Sequence, residues 1–278
     1  MHDQTLGAGG YSIFHDTMAD MTYQELAQEA AEGAIVLWGL GVIEQHGPHL
    51  PLGTDVYMPQ ALLRRVRQLL KARNIRSVTM PPYYWGINNV TGLFPGSFEV
   101  RPAIMVEIMI DLIKSLRKDG FGKLFCVSGH GDPLHNQTIL QGARRGAEES
   151  GLDTYFIGAP SFVKRLGFDP ADPNVLQTAS EVEKQRKYMD IHAGEFETSS
   201  MRSVYPELVR TGIMASLKST DFTFEDLTEW RRGREHALRK TPLGYLGDPA
   251  ASDPEKGGSM IDLQAELVAD AIAAKLAQ

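Results

Sequence analysis

The sequence predicts an α/β fold with a mostly parallel central sheet and helices on both faces. Several short, continuous apolar runs have the composition of strands that are buried on both sides. Most are followed by a short loop and then by a segment whose apolar residues recur at helical spacing. Because parallel strands need a crossover connection, usually a helix, this repeated order predicts a parallel sheet. In addition, two motifs rich in histidine and acidic residues directly follow two of the runs.

Capping signals, apolar spacing and helix breakers assign the elements in chain order. The predicted strands are 34–38, 77–80, 123–128 and 154–157. The predicted helices are 21–32, 56–72, 104–118, 137–150, a helix that continues from the motif at 190–200 to about residue 205, and 261–277. Thr22 and Glu25 have the spacing of a capping box, and Gly33 ends the first helix. Pro206 is expected to end the helix near residue 205.

The pattern weakens between residues 159 and 190. This stretch carries Asp/Pro clusters near 169–173 and a charged helix around 180–188, and we interpret it as a lid or an oligomer contact. The sequence has no internal repeat, no low-complexity tract and no change of composition that would indicate a linker. It therefore predicts a single domain over residues 1–278.

Bulk composition excludes several classes of function. The chain has 278 residues, 42% of them hydrophobic and 23% charged, which is ordinary for a globular protein. Its net charge of −7 disfavours nucleic acid or an anionic membrane as a partner. The one short basic block, 231–234, is interpreted as a solvated helix face. A single cysteine, Cys126, lies in an apolar run and is expected to be inert, and with no signal or membrane-spanning segment a cytoplasmic location is expected.

The first polar motif follows the strand at 34–38. It places Glu44, His46, His49 and Asp55 within twelve residues of a Gly- and Pro-rich loop. Carboxylates and imidazoles are ligands of borderline divalent metals, and irregular backbone at a strand end allows them to converge. Glu44 and His46 are two residues apart, so both would point to one side of an extended chain. This motif predicts part of a metal site.

Two later motifs supply further candidate ligands. His130 stands between two glycines at the end of the strand at 123–128, with Asp132 and His135 close behind it. His192 and Glu195 lie in the third motif. The carboxyl edge of a parallel sheet is where such proteins bind ligands, and five of the eight histidines fall in the three motifs.

These donors have the composition of a two-metal hydrolytic centre. In such a centre, metals roughly 3.5–4 Å apart share a carboxylate and a water whose pKa falls toward neutrality. That water attacks a carbonyl without a serine or cysteine nucleophile. Ser128 and Ser199 lack the context of a nucleophile elbow, and neither a P-loop nor a Gly-x-Gly-x-x-Gly after a strand is present.

The motifs together resemble the creatininase (creatinine amidohydrolase) family from about residue 20 to the C-terminus. The opening motif, Glu44-Gln-His-Gly-Pro-His-Leu-Pro-Leu-Gly-Thr-Asp55, looks like the signature of that family. The other matching stretches are Phe94-Pro-Gly-Ser97, Ser128-Gly-His-Gly131, His192-Ala-Gly-Glu-Phe-Glu-Thr-Ser199, Tyr205-Pro-Glu-Leu-Val209 and Gly247-Asp-Pro249.

The resemblance implies a three-layer α/β/α sandwich with two divalent metal ions per chain, zinc and/or manganese or iron. It also implies hydrolysis of a small amide and a homo-oligomer, commonly a hexamer. By position, Glu44 and His130 would hold one metal, His46 the other, and Asp55 would bridge them. His49 is left as a structural residue.

The remaining ligand and the catalytic residues follow from the same resemblance. Glu195 is favoured as the fifth ligand and Asp132 as an acid–base group, although the reverse assignment stays open. His192 matches a histidine suited to protonating the leaving nitrogen. Ser97, Asn136 and Tyr188 are expected to contact the substrate.

Departures from the family pattern count against creatinine as the substrate. The stretch before His192 lacks the Trp-Asp pair that covers creatinine, and Thr91 stands where the family often has histidine. The leading hypothesis is a dinuclear-metal amidohydrolase that acts on a small cyclic amide, a formamide or a peptide end. The alternatives are a hydrolase or isomerase for a cyclic ketone or sugar-like polyol with the same metals, and a non-enzymatic metal-storage or scaffold protein.

Overall fold

A five-stranded parallel sheet forms the centre of the fold in the computed structural model, which describes residues 12–180 and 189–278. The strand order is β2-β1-β3-β4-β5, and every pair is parallel. The strands are β1 (Ile35–Leu40), β2 (Ser77–Thr79), β3 (Lys123–Ser128), β4 (Asp153–Gly158) and β5 (Val175–Gln177). The parallel α/β prediction is confirmed.

Ten α-helices surround the sheet within the described ranges. They are α1 (Tyr23–Ala31), α2 (Thr54–Ala72), α3 (Pro102–Lys118), α4 (Pro133–Ser150), α5 (Pro160–Leu166), α6 (Glu195–Val204), α7 (Thr211–Met214), α8 (Phe224–Trp230), α9 (Glu235–Lys240) and α10 (Pro254–Leu276). Short 3-10 turns lie at Met18–Asp20, Pro206–Leu208 and Pro249–Ala251. None of these helices combines the length and apolarity that a bilayer span would need.

Two apolar layers cover the two faces of the sheet, as alternate side chains of each strand point in opposite directions. On one face, Val36, Trp38 and Cys126 belong to a core that includes residues of α3, α4 and α5. On the other face, Leu37 and Phe125 pack into a core with α2 and α10. This is the three-layer α/β/α sandwich that the sequence predicts. Cys126 is a free, fully buried thiol whose pKa is raised by burial, which agrees with the inert role predicted for it.

The predicted capping box of the first helix is confirmed, whereas two later helices begin earlier than predicted. Thr22 and Glu25 form the predicted capping box of α1. Helix α4 begins at Pro133, four residues earlier than predicted, because Asp132 caps it and proline suits the first helical turn. Helix α10 likewise begins at Pro254 behind the cap Asp253 rather than at residue 261.

The stretch with weak sequence signal contains real elements. Helix α5 and the edge strand β5 lie within residues 159–180, where the sequence predicts only a lid or an oligomer contact. Both are short, and short elements carry too few periodic positions for a clear pattern. The predicted charged helix around residues 180–188 falls almost entirely outside the described residues.

Candidate metal centre

Two loops bring the first three predicted ligands together at the carboxyl edge of the sheet. Strands β1 and β3 are neighbours with Leu40 in register with Ser128, so the chain leaves both strands at the same place. Glu44 and His46 follow β1, and His130 follows β3. The Glu44 Oε1 atom lies 3.1 Å from His130 Nδ1, and both side chains are buried.

Helix α2 carries Asp55 into the same place. The helix starts directly across the two strand ends, where the Asp55 carbonyl oxygen lies so close to Gly41 and Gly129 that a Cβ atom on either glycine would be 2.1 Å from it. Only glycine permits this approach of two backbones. Asp55 in the first turn is therefore held against both loops, and its carboxylate is buried.

The two oxygen atoms of the Asp55 carboxylate face different partners. Oδ1 lies 3.2 Å from His46 Nε2, and Oδ2 lies 2.8 Å from His130 Nδ1. His46 Nε2 is in turn 3.6 Å from the Glu197 Oε2 atom. Asp55 thus stands between two groups of donors, as a bridging ligand would.

Three sets of side chains in the described residues have donor atoms within 4.8 Å of one another and could hold a metal ion. They are Glu44, Asp55 and His130; His46, Asp55 and Glu197; and Glu44, His46 and His192. The first two sets share Asp55 and otherwise have no member in common. Two cation positions on either side of one carboxylate are compatible with this arrangement.

The electrostatics of the cluster favour cations. Burial by itself would lower the pKa of His46, but the Asp55, Glu197 and Glu44 carboxylates raise it to about 10. His130 behaves in the same way, with burial outweighed by Glu44 and Asp55, so its pKa is raised well above the usual value. In the metal-free protein, protonated imidazoles balance the carboxylates, and a divalent ion could replace those protons.

Two buried carboxylate oxygens of the cluster lack a well-formed hydrogen bond. Glu44 Oε1 and Asp55 Oδ2 lie 3.1 and 2.8 Å from His130 Nδ1, but neither contact has the geometry of a hydrogen bond. Buried polar atoms without partners are rare in proteins, because each one loses its hydration without compensation. By contrast, His46 Nδ1 is engaged by the Glu44 carbonyl oxygen at 3.1 Å, which leaves Nε2 directed at the cluster. The donor set fits a metal ion by chemistry and by unmet bonding capacity.

His192 lies beside the cluster with a defined orientation. Its Nε2 atom is 2.8 Å from the Gln45 carbonyl oxygen, which can only accept a hydrogen bond, so Nε2 carries the proton. Nδ1 then presents a lone pair toward Glu44 Oε1, 3.7 Å away. Burial and the charge on His46 lower the pKa of His192 to about 4. The next residue, Ala193, has a φ of 48°, a strained backbone conformation of the kind that clusters at functional sites.

The structure places a different glutamate of α6 at the cluster from the one predicted as the fifth ligand. Glu195, the favoured residue, forms an ion pair with Lys256 of α10 and is not among the clustered donors. Glu197 lies at the cluster instead, and its Oε2 accepts a hydrogen bond from the Ala193 N–H at 2.6 Å. Residues two apart on a helix point in nearly opposite directions, so only one of the two glutamates can face the cluster. Met201, fully buried four residues after Glu197, is the sequence signal that identifies the inner face of α6.

Asp132 has a different role from the predicted one. Its Oδ1 accepts hydrogen bonds from the Leu134 and His135 N–H groups and its Oδ2 from the Asn89 N–H, at 2.8–3.2 Å. Both carboxylate oxygens are therefore occupied by backbone donors. Asp132 caps α4 and fixes the loop that carries His130, so the geometry gives no support for acid–base catalysis by this residue.

Two of the three predicted substrate-binding residues support the backbone of the site. Ser97 Oγ accepts a hydrogen bond from the Gln45 N–H at 3.1 Å, and Asn136 Nδ2 donates to the His130 and Asp132 carbonyl oxygens at 2.8 Å each. Both hold backbone segments of the site in place, and neither lines the cavity. The third predicted residue, Tyr188, lies outside the described residues.

Two supporting residues complete the cluster. The Thr91 hydroxyl donates to Glu44 Oε2, which leaves the other Glu44 oxygen for the cluster. His49 is buried and its Nε2 lies 2.9 Å from the Thr198 Oγ1, which agrees with the structural role predicted for it.

A cavity of about 800 Å³ opens in front of the cluster. Glu44, Asp55, His130, His192 and Glu197 all line it. The remaining wall includes the aromatic residues Phe162 and Trp230, the small residues Gly129 and Ala159, and the arginines Arg165 and Arg231. The volume suits a small molecule or the end of a peptide.

Comparison with known proteins identifies a single family. The model of the family described as "Creatininase: Creatinine amidohydrolase" matches residues 19–272 of this chain. Among curated proteins, the creatinine amidohydrolase of Pseudomonas putida is 27% identical over 268 residues, which cover 92% of this chain and 95% of that protein. A mycofactocin precursor peptide peptidase of Mycobacterium ulcerans (strain Agy99) is 27% identical over 241 residues, covering 85% and 82%.

Solved structures share the fold. A mutant creatininase superposes with a TM-score of 0.71 at 23% identity, covering 95% of this chain and 99% of that one. A manganese creatininase gives a TM-score of 0.69 at 22% identity with 94% and 98% covered. A mutant creatininase complexed with creatine gives 0.69 at 21% identity with the same coverage.

Proposed function

Since the chain belongs to the creatininase family of metal-dependent amidohydrolases, we propose that it hydrolyses a C–N bond of a small cyclic amide or formamide-type substrate. The reaction would use two divalent metal ions. The observation that carries this proposal is the position of the Asp55 carboxylate. Its Oδ1 lies 3.2 Å from His46 Nε2, and its Oδ2 lies 2.8 Å from His130 Nδ1. A buried carboxylate so placed suits a pair of cations better than one.

The ligand roles follow from the geometry. Glu44 and His130 would bind one ion, His46 and Glu197 the other, and Asp55 both. Nitrogen and oxygen donors of this kind suit zinc and manganese. When bound, the ions would lower the pKa of a water between them and polarise the scissile carbonyl.

His192 is the residue we propose for proton transfer. Its protonated Nε2 is fixed on the Gln45 carbonyl oxygen, so Nδ1 is available at the cavity wall. A pKa of about 4 keeps Nδ1 unprotonated at neutral pH, ready to accept the proton of the attacking water. The same atom can then deliver that proton to the leaving nitrogen. General acid–base catalysis of this kind contributes roughly 10²–10⁴-fold to the rate.

The substrate is not fixed by family membership. Relatives of similar identity carry the names of a creatinine amidohydrolase and a mycofactocin precursor peptide peptidase. A third, a 3-dehydro-scyllo-inosose hydrolase of Thermotoga maritima, is 21% identical over 190 residues, covering 68% of this chain and 56% of that protein. The second candidate is a hydrolase or isomerase for a cyclic ketone or sugar-like polyol with the same metals. The name of this relative supports the hydrolase form of that candidate.

Metal removal and solvent isotope incorporation test the proposal together. Purified protein should contain close to two divalent ions per chain, lose turnover of small cyclic amides and formamides on chelation, and regain it with zinc or manganese. Hydrolysis in H₂¹⁸O should place ¹⁸O in the acid product. His192→Gln should lower kcat and keep both metals, whereas Glu44→Gln should lose metal as well. Full activity after complete chelation would refute the proposal.

We also propose that the chain forms a homo-oligomer. Trp85 and Phe98 are 45% and 52% exposed, and their rings pack edge to face with the ring centres 5.7 Å apart. Exposed aromatic side chains of this size commonly lie in interfaces. Light scattering of purified protein should give a multiple of the 30.7 kDa chain. A monomer at micromolar concentration would overturn this part.

A further inference from the structure

Two arginines line the cavity close to the metal centre. Arg165 lies on α5, and Arg231 directly follows α8. Both line the cavity that contains Glu44 and His130, and both side chains are exposed, so they stand at its open side. Arg165 Nη1 donates to the Gly131 carbonyl oxygen at 3.3 Å, one residue from the proposed ligand His130.

Neither arginine forms an ion pair in residues 12–180 and 189–278. Other arginines near them do: Arg232 pairs with Glu229 at 2.9 Å and Arg234 with Glu99 at 3.2 Å. The basic block at 231–234 is therefore divided. Arg232 and Arg234 are exposed and paired with acidic side chains, but they lie between α8 and α9 and not on the predicted helix face, whereas Arg231 lines the cavity.

The two guanidinium groups are close enough to affect each other. Partial desolvation at the cavity wall lowers the pKa of Arg165, and the positive charge of Arg231 lowers it further. Asp132 opposes this effect, but its carboxylate already accepts three backbone N–H groups. Two like charges at one cavity wall repel each other, and an anion between them would relieve that repulsion.

Aromatic packing holds Arg165 in place. Its guanidinium carbon lies 4.8 Å from the centre of the Phe162 ring, which also lines the cavity. Stacking on an aromatic face restricts the guanidinium plane and so reduces the entropy lost when it binds a ligand. The planar fork of an arginine matches the geometry of a carboxylate.

We propose that the substrate carries a carboxylate, which Arg165 and Arg231 bind while the scissile C–N bond faces Glu44, Asp55 and His130. This inference rests on the proposed function and specifies its substrate class as an acidic amide. The Phe162 and Trp230 side chains would contact the apolar part between the two ends of the substrate. Neutral amides such as creatinine would leave the arginines without a counter-charge.

Matched dicarboxylates and monocarboxylates test this inference by calorimetry on the zinc-loaded full chain. The series runs from succinate to pimelate, each compared with the straight-chain monocarboxylate of the same carbon number at low ionic strength, because salt screens charge pairs. One carboxylate of either compound can bind the metals, and only the dicarboxylate can also engage the arginines. We expect at least one chain length to bind about tenfold or more tightly as the dicarboxylate, a difference of roughly 1.4 kcal/mol.

Substitutions assign that preference to the two residues. Arg165→Gln with Arg231→Gln should bring the ratio of the two dissociation constants close to one and leave the monocarboxylate constant and the zinc content unchanged. Each single variant should give an intermediate ratio and provides the test if the double variant does not fold. Arg145→Gln is the matched control. Arg145 lies on α4, pairs with Glu107 of α3 and Glu149 of α4, and does not line the cavity.

The outcomes separate the two proposals. Zinc-dependent binding of the monocarboxylates with no preference for any dicarboxylate, or a preference that survives in the double variant, would overturn the role of the arginines alone. Absence of any zinc-dependent binding would refute the metal centre, and this inference with it.

Discussion

At the scale of single residues, the centre depends on which glutamate of α6 faces inward. Glu195 and Glu197 have the same side chain, but the two side chains point in nearly opposite directions because the residues are two apart on a helix. Glu195 pairs with Lys256 on α10, and Glu197 Oε2 lies 3.6 Å from His46 Nε2. Burial raises the pKa of Glu197 to about 7, so in the metal-free protein this carboxyl takes up a proton as the pH falls below neutrality, and a metal ion would displace that proton.

The pair provides a matched test. Glu197→Gln keeps the size of the side chain and an oxygen for the Ala193 N–H, and it removes the charge. We expect it to lose one of the two metals and to lower kcat by at least about 100-fold, the upper end of what even an outer-shell change costs. Glu195→Gln should keep both metals and lose on the order of 1 kcal/mol of stability or less from the ion pair with Lys256. The reverse pattern, measured by metal analysis and steady-state kinetics, would restore Glu195 as the ligand.

The charge state of His46 gives a pH dependence in the metal-free protein. Its pKa is raised from 6.5 to about 10, so between these values the folded protein holds a proton that the unfolded chain has released. Raising the pH through this window therefore favours unfolding. The chelated protein should show a lower urea midpoint at about pH 9.5 than at about pH 7. In His46→Asn this dependence should largely disappear, and an unchanged midpoint in the chelated parent protein would contradict the charge assignment.

Most residues of the donor cluster could be named from the sequence, and the reason is local. Glu44, His46 and Asp55 lie within one motif, and His130 directly follows a clear buried strand. Glu197 was missed because its direction depends on the phase of α6. Asp132 was assigned to catalysis from the family resemblance, and its cap of α4 was not predicted because the helix was expected to begin four residues later.

At the scale of elements, the crossing of α2 over β1 and β3 positions the Asp55 carboxylate. The helix can begin there only because Gly41 and Gly129 have no side chain in contact with the Asp55 backbone. Strands β1 and β3 and helices α2 and α3 carry strong apolar patterns and were predicted. Elements α5, β5, α7, α8 and α9 were not, because each has seven residues or fewer and is fixed by tertiary contacts.

Two glycines on either side of His130 test this crossing. A Cβ at Gly129 would lie 2.1 Å from the Asp55 carbonyl oxygen and 2.7 Å from Pro59, whereas a Cβ at Gly131 would have no atom within 4 Å. Gly129→Ala should therefore lower stability by about 1–3 kcal/mol or more and weaken metal binding, because α2 must move. Gly131→Ala should keep stability within about 0.5 kcal/mol. Equal unfolding midpoints for the two variants in urea would show that the close approach does not matter.

At the scale of the whole molecule, the centre joins separate parts of the chain. Its donors come from the loops after β1 and β3, from the first turn of α2 and from α6, so bound metals would connect both sides of the sheet edge. The arginines reach the same cavity from α5 and from the end of α8. These convergences depend on the tertiary fold, and no local sequence pattern predicts the arginine pair.

The most direct test of the central claim is anomalous diffraction from crystals of the zinc-loaded protein. Data collected above and below the zinc edge should show two strong peaks per chain, roughly 3.5–4 Å apart. One peak should lie between Glu44 and His130, the other between His46 and Glu197, with the Asp55 carboxylate between the two. A single peak, or peaks away from Asp55, would contradict the dinuclear centre.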